Sequence, residues 1–113
     1  GPDVLLMIRE LTDVYIKERY PKLNRTERKR REAQRIEGIS LEAKAIKLAD
    51  LIDNTSSIVE HDPDFARVYL KEKLELLPRL ADANPELLNK ASMIAVDGCL
   101  RLGIEIPTLV SPQ

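Results

Sequence analysis

The chain has 113 residues, 43% of them hydrophobic, which suffices for one domain with a single modest core and leaves no room for a second. Its 18 Lys and Arg against 19 Asp and Glu give a net charge of −1, which removes any general electrostatic case for binding nucleic acid or an anionic membrane. The single cysteine excludes an internal disulfide, and no apolar run approaches the ~20 residues of a membrane span.

In chain order, Val4-Leu5-Leu6-Met7-Ile8 continues to Leu11, Val14, Tyr15 and Ile16 with helical recurrence, after a Pro2 suited to a first turn. This predicts an apolar first helix stopped by Pro21, with a face rich enough to need a partner, either in this chain or upstream of it. Gly1-Pro2 is consistent with a cleavage scar or with a native pair. Asn24 or Thr26 can cap a second helix, and Asn24, with Glu27 three residues on, fits a capping box. Glu27-Arg28-Lys29-Arg30-Arg31-Glu32 then reads either as a solvated, charge-paired face or as a basic rim for an anionic ligand. An RNA-binding arm is disfavoured, because only Tyr20 is near enough for base stacking.

Gly38-Ile39-Ser40 ends that helix, and Ser40 caps a third running to about Val59. A loop Glu60-His61-Asp62-Pro63 follows, in which Asp62-Pro63 is a cap-then-proline helix start. The fourth helix carries Phe65, Val68, Tyr69, Leu70, Leu74 and Leu77 until Pro78 kinks or ends it. Asn84-Pro85-Glu86 repeats the start signal, and a fifth helix carries Leu87, Leu88, Ala91, Ile94, Ala95, Leu100 and Leu102 to Gly103. Cys99 lies among those apolar positions and reads as a buried thiol of a reducing, cytoplasmic compartment. No alternating pattern of useful length appears. The expected fold is therefore all-α with about five helices over residues 1–103, followed by an extended tail at 104–113.

The third helix holds the stretch with chemistry in it, Lys47-Leu48-Ala49-Asp50-Leu51-Ile52-Asp53-Asn54. Leu48, Ala49, Ile52 and Ile58 predict a buried stripe, with Asp50 and Asn54 sharing a face beside it and Asp53 turned about 100° away. A carboxylate beside a buried stripe needs a metal, an arginine or several donors to compensate its desolvation. The alternative is that Asp50 faces water or pairs with a lysine.

Taken together, Leu11-Thr12-Asp13, Pro21-Lys22-Leu23, Glu27-Arg28-Lys29-Arg30, Lys47-Leu48-Ala49-Asp50 with Asn54, and Ala83-Asn84-Pro85-Glu86-Leu87 resemble the C-terminal half of an HD-domain phosphohydrolase. The nearest likeness is to the RelA/SpoT-type alarmone hydrolases, guanosine bis-diphosphate 3′-pyrophosphohydrolases and their small stand-alone homologues. The resemblance implies a helical HD-type bundle and hydrolysis of a nucleotide such as ppGpp or NADPH. It implies one manganese ion held by a histidine, a consecutive His-Asp pair and a final aspartate, which Asp50 matches. Asn54 matches an asparagine facing the nucleotide. Tyr69 matches a nucleotide-contacting tyrosine, against a core reading of the same residue. Lys22 falls near a substrate-phosphate position, against a solvated-surface reading.

The histidine, the His-Asp pair and the acidic residues that orient the attacking water have no counterpart here. His61-Asp62 is not that pair, because it follows Asp50 and because Asp62 is accounted for as a cap. The expectation is thus an incomplete domain with one metal ligand, completed by an upstream segment or a second copy through the first helix, and inactive by itself. A non-catalytic helical binding or regulatory module is the alternative.

Overall fold

The computed structural model describes residues 2–106, with side chains from Val4 onward. It is all-α: α1 (Pro2–Leu11), α2 (Arg25–Glu37), α3 (Leu41–His61), α4 (Pro63–Leu76), a 3₁₀ turn (Leu77–Leu80) and α5 (Pro85–Leu102), with no strand among the described residues.

The helix starts follow the capping chemistry. Asn24 accepts from the Glu27 N–H at 2.8 Å, Asp62 from Phe65 at 3.2 Å, and Asn84 from Glu86 and Leu87 at 3.0 and 3.2 Å. The reciprocal arm of the Asn24 box is missing, because the Glu27 carboxylate is taken by Arg30 and Arg31 instead. Ser40 caps α3 by accepting from Ala43, while the Glu10 carboxylate accepts from both the Ser40 N–H (2.6 Å) and hydroxyl (2.8 Å). Pro78 ends α4 by forcing its continuation into the 3₁₀ turn. Gly103 closes α5 at φ 67°, a left-handed position that only glycine takes without strain.

Three boundaries differ from expectation. The first helix stops at Leu11 rather than running on to Pro21. Periodicity continues past Leu11, but tertiary hydrogen bonds from α2 capture the backbone there: Arg35 donates to the carbonyls of Glu10 (2.9 Å) and Thr12 (3.2 Å), and Glu32 accepts from Val14 and Tyr15, both at 2.8 Å. Residues 12–24 instead form turns, closed by bonds such as Tyr20 N–H to Ile16 carbonyl at 2.9 Å. Glu60 and His61, expected in a loop, are the last turn of α3, since the Asp62 N–H still reaches the Ile58 carbonyl. Beyond Gly103, Ile104 and Ile106 pack on the core instead of trailing away, and the rest of the expected tail lies outside the described residues.

The core is apolar and built mainly by α3, α4 and α5, with Leu48, Leu70, Leu80 and Cys99 fully buried. α5 crosses α3 closely at Gly98, where a Cβ would sit 3.1 Å from Val59 Cγ2 and 3.3 Å from both Leu70 methyls. α2 covers α4 and the 3₁₀ turn, whereas α1 leans on α3 and leaves Val4, Leu5, Leu6 and Ile8 more than half exposed. No helix among the described residues is long and apolar enough to cross a membrane.

Candidate functional site

The buried stripe of α3 is Ala43, Lys44, Leu48, Leu51, Thr55 and Val59. It is rotated from the expected one: Ala49 is exposed, and Ile52 and Ile58 are half-buried at its edge. This rotation puts Asp50 and Asn54 on the exposed side of α3, one turn apart, with Asp53 also exposed. Asp50 is therefore a hydrated carboxylate available to a ligand, not a charge that demands compensation.

On α4, which packs against α3, Tyr69 and Lys73 also lie one turn apart. Tyr69 is 9% exposed, and its hydroxyl meets Thr55 Oγ1 at 3.2 Å, deep between α3 and α4. Thr55 in turn donates to the Leu51 carbonyl, so the phenol supplies the hydrogen of the Thr55–Tyr69 bond. Burial raises the Tyr69 pKa above the ordinary phenol value; the Thr55 hydroxyl opposes this and the negative charge of Asp50 adds to it. The core reading of Tyr69 holds for its ring, and Asp50 lies within electrostatic reach of the phenol.

Lys73 lays its ammonium over the Tyr69 ring, 5.0 Å from the centroid. Its pKa is lowered to about 8, first by desolvation and then by the positive charges of Lys29 on α2 and Lys47 on α3; Glu72 and Asp13 work in the opposite direction. Lys47 reaches Asp13 at 3.9 Å, at the outer limit of an ion pair. Lys73 thus lies over the Tyr69 ring, within electrostatic reach of Lys29 on α2 and Lys47 on α3, while the charge of Asp50 acts on the Tyr69 phenol. Lys22 sits exposed in the turns between α1 and α2 and makes no hydrogen bond or ion pair to Tyr69, Lys47 or Lys73.

No family model, curated protein or solved structure matches the chain. The site is characterised by its own geometry.

A manganese ion calls for about three or more protein ligands held by surrounding hydrogen bonds. Among the described residues no three His, Cys, Asp or Glu side chains gather closely enough to hold a metal ion. Asp50 offers one carboxylate, and His61, exposed at the end of α3, is removed from it by three turns of helix. The described residues do not fit a manganese site by themselves.

Lys47 is expected only as part of its motif, and neither Lys73 nor Thr55 is expected at the site from the sequence. A signal for Lys73 was present: Ala66, Tyr69, Leu70, Lys73, Leu74 and Leu77 trace one face of α4, so a lysine occupies a position where the pattern calls for an apolar residue. Lys44 carries the same signal on α3. It is 2% exposed, and its ammonium emerges from the core to donate to Asp82 at 2.6 Å.

Proposed function

We propose that these residues form the substrate-facing half of an HD-type metal-dependent nucleotide (pyro)phosphohydrolase, of the kind represented by the alarmone hydrolases. The observation that carries the reading is Lys73, whose ammonium lies 5.0 Å from the Tyr69 ring centroid within electrostatic reach of Lys29 and Lys47, with the charge of Asp50 acting on the same tyrosine. Cations held together repel one another, and a phosphate group placed among them relieves that repulsion while screening the growing negative charge of a reacting phosphate. The order of the sequence motifs supports the same reading. Lys47 and Lys73 bind and orient phosphate, and Asn54 presents an amide able both to donate and to accept toward a nucleotide. Asp50 is the one metal ligand from this set, and the reading requires the others from residues outside it.

The test is equilibrium binding of guanosine bis-diphosphate and of NADPH, with no hydrolysis by residues 1–113. Lys47→Ala and Lys73→Ala are each expected to weaken binding about tenfold, the loss of one charge-assisted contact. Binding insensitive to both substitutions overturns the reading.

A second reading, a non-catalytic helical module, draws on the apolar face of α1, where Leu5 is 65% exposed and Val4, Leu6 and Ile8 are each over half exposed. It predicts concentration-dependent association abolished by Leu5→Glu, together with no nucleotide binding.

A further inference from the structure

A different face of α4 forms a second feature. Where the first turn of α2 meets the middle of α4, an open groove of about 330 Å³ is lined by Arg25, Lys29, Arg67 and Lys71, with Glu72 and Glu75 as its acidic members. Arg25 and Glu72 occupy each other: the guanidinium donates at 2.7 and 3.2 Å to the two carboxylate oxygens and also lies over the Phe65 ring at 5.5 Å. That pair is neutral and fixes one wall. Lys29, Arg67 and Lys71 remain, and none of them has a carboxylate within ion-pair distance among the described residues. Arg67 and Lys71 stand one turn apart on α4, and Lys29 comes from α2, so the cations approach one opening from two helices. Glu75 alone offsets them.

We propose that this groove is an anion site that takes the diphosphate group of a small ligand, separate from the Lys47–Lys73 cluster. The volume lies at the low end of the ~300–1,000 Å³ of small-molecule pockets, which suits a compact ligand. An arginine fork with flanking ammonium groups recognises tetrahedral phosphate oxygens bidentately and by charge. The carboxylates of an acidic peptide are spread along an extended chain and cannot converge on a single opening of this size. The source of the diphosphate is either inorganic pyrophosphate or a nucleoside diphosphate, which share the chemistry recognised here. Lys29 borders both this groove and Lys73, so the test relies on Arg67 and Lys71, which belong to the groove alone.

The experiment is a backbone-amide NMR titration of the folded chain with inorganic pyrophosphate and, in parallel, with guanosine 5′-diphosphate. Saturable shifts centred on residues 25–29 and 67–71 are expected. Arg67→Gln with Lys71→Gln should weaken binding at least about tenfold, while Lys90→Gln, at an exposed cation on α5, leaves it unchanged. Equal affinity in the two arms identifies the diphosphate as the whole recognition element, and tighter guanosine 5′-diphosphate adds the nucleoside; either outcome supports the site. Shifts that do not saturate, shifts confined to Lys47, Asn54 and Lys73, or a glutamate-rich peptide binding where pyrophosphate does not, each overturn it. Both substituted residues are exposed. Should the double variant fail to fold, Lys71→Gln alone must still weaken binding by about threefold. Dependence on Arg67 and Lys71 tests this groove, and dependence on Lys47 and Lys73 tests the proposed function, so the two fail separately.

Discussion

Glu32 and Arg35, one turn apart on α2, jointly terminate α1. The carboxylate accepts from the amides of Val14 and Tyr15, the guanidinium donates to the carbonyls of Glu10 and Thr12, and the two side chains pair at 3.0 Å. Glu32→Ala leaves two amides without their acceptor and removes the carboxylate partner of a half-buried guanidinium. A loss of about 2–4 kcal/mol is expected in urea denaturation, with a smaller loss for Glu32→Gln, which keeps an acceptor oxygen.

The same carboxylate sets an acid limit. Desolvation pushes the Glu32 pKa up, but Arg35 and the amides of Tyr15 and Val14 more than offset it, and the net value is lowered from 4.5. A carboxylate depressed in the folded state contributes stability that is complete above its unfolded pKa and is lost as the pH falls through the folded one. Asp82 behaves likewise through its hydrogen bond from Lys44. Thermal midpoints should therefore fall as the pH drops below 4.5, and Glu32→Gln should flatten that decline.

Lys73 works in the opposite direction. Its pKa of about 8 lies below the ordinary 10.5, so the unfolded chain binds its proton more readily between those values. Stability should rise with pH across that window. Lys73→Met should raise the thermal midpoint below pH 8, with an advantage that shrinks toward 10.5 as the native lysine loses its charge in both states.

Gly98→Ala tests the α3–α5 crossing. The added methyl carbon would meet Val59 Cγ2 at 3.1 Å and the Leu70 methyls at 3.3 Å, and those side chains are themselves packed in the core. Overpacking of about 1–3 kcal/mol should outweigh the ~1 kcal/mol gained in helix propensity. Net destabilisation in a denaturant titration is the expected result, and a more stable variant would show that the crossing can yield.

Asp50 separates stability from chemistry. Being exposed and without an ion pair among the described residues, it can become alanine with a stability change within about 0.5 kcal/mol. Residues 1–113 should show no manganese-dependent hydrolysis of guanosine tetraphosphate. Turnover abolished by Asp50→Ala would contradict this. In a form that does hydrolyse, Asp50→Ala should remove bound metal and activity together, whereas Asn54→Ala should mainly weaken nucleotide use.

Helix starts were legible because a cap is a local event: Asn24, Ser40, Asp62 and Asn84 each bond an amide two or three residues away. The end of α1 was not, because its causes, Glu32 and Arg35, lie some twenty residues downstream and act through tertiary hydrogen bonds. The face of α3 was misjudged by part of a turn. Counting apolar residues favoured Ala49 and Ile52, while the core accepted Lys44 and Thr55, whose polar atoms find Asp82, Leu51 and Tyr69. For the same reason the lysine cluster stayed hidden. Lys29, Lys47 and Lys73 belong to separate helices, and only packing brings them together.

Asp62 is at once the last cap of α3 and the first cap of α4. With no connecting loop between the two helices, an inserted residue would rotate Tyr69 and Lys73 away from Thr55 and Asp50. This corner should be intolerant of insertion, should offer a protease no exposed strand of backbone, and should transmit any bending of α3 directly into α4. The α3 and α4 walls that hold Thr55 and Tyr69 should move as one piece.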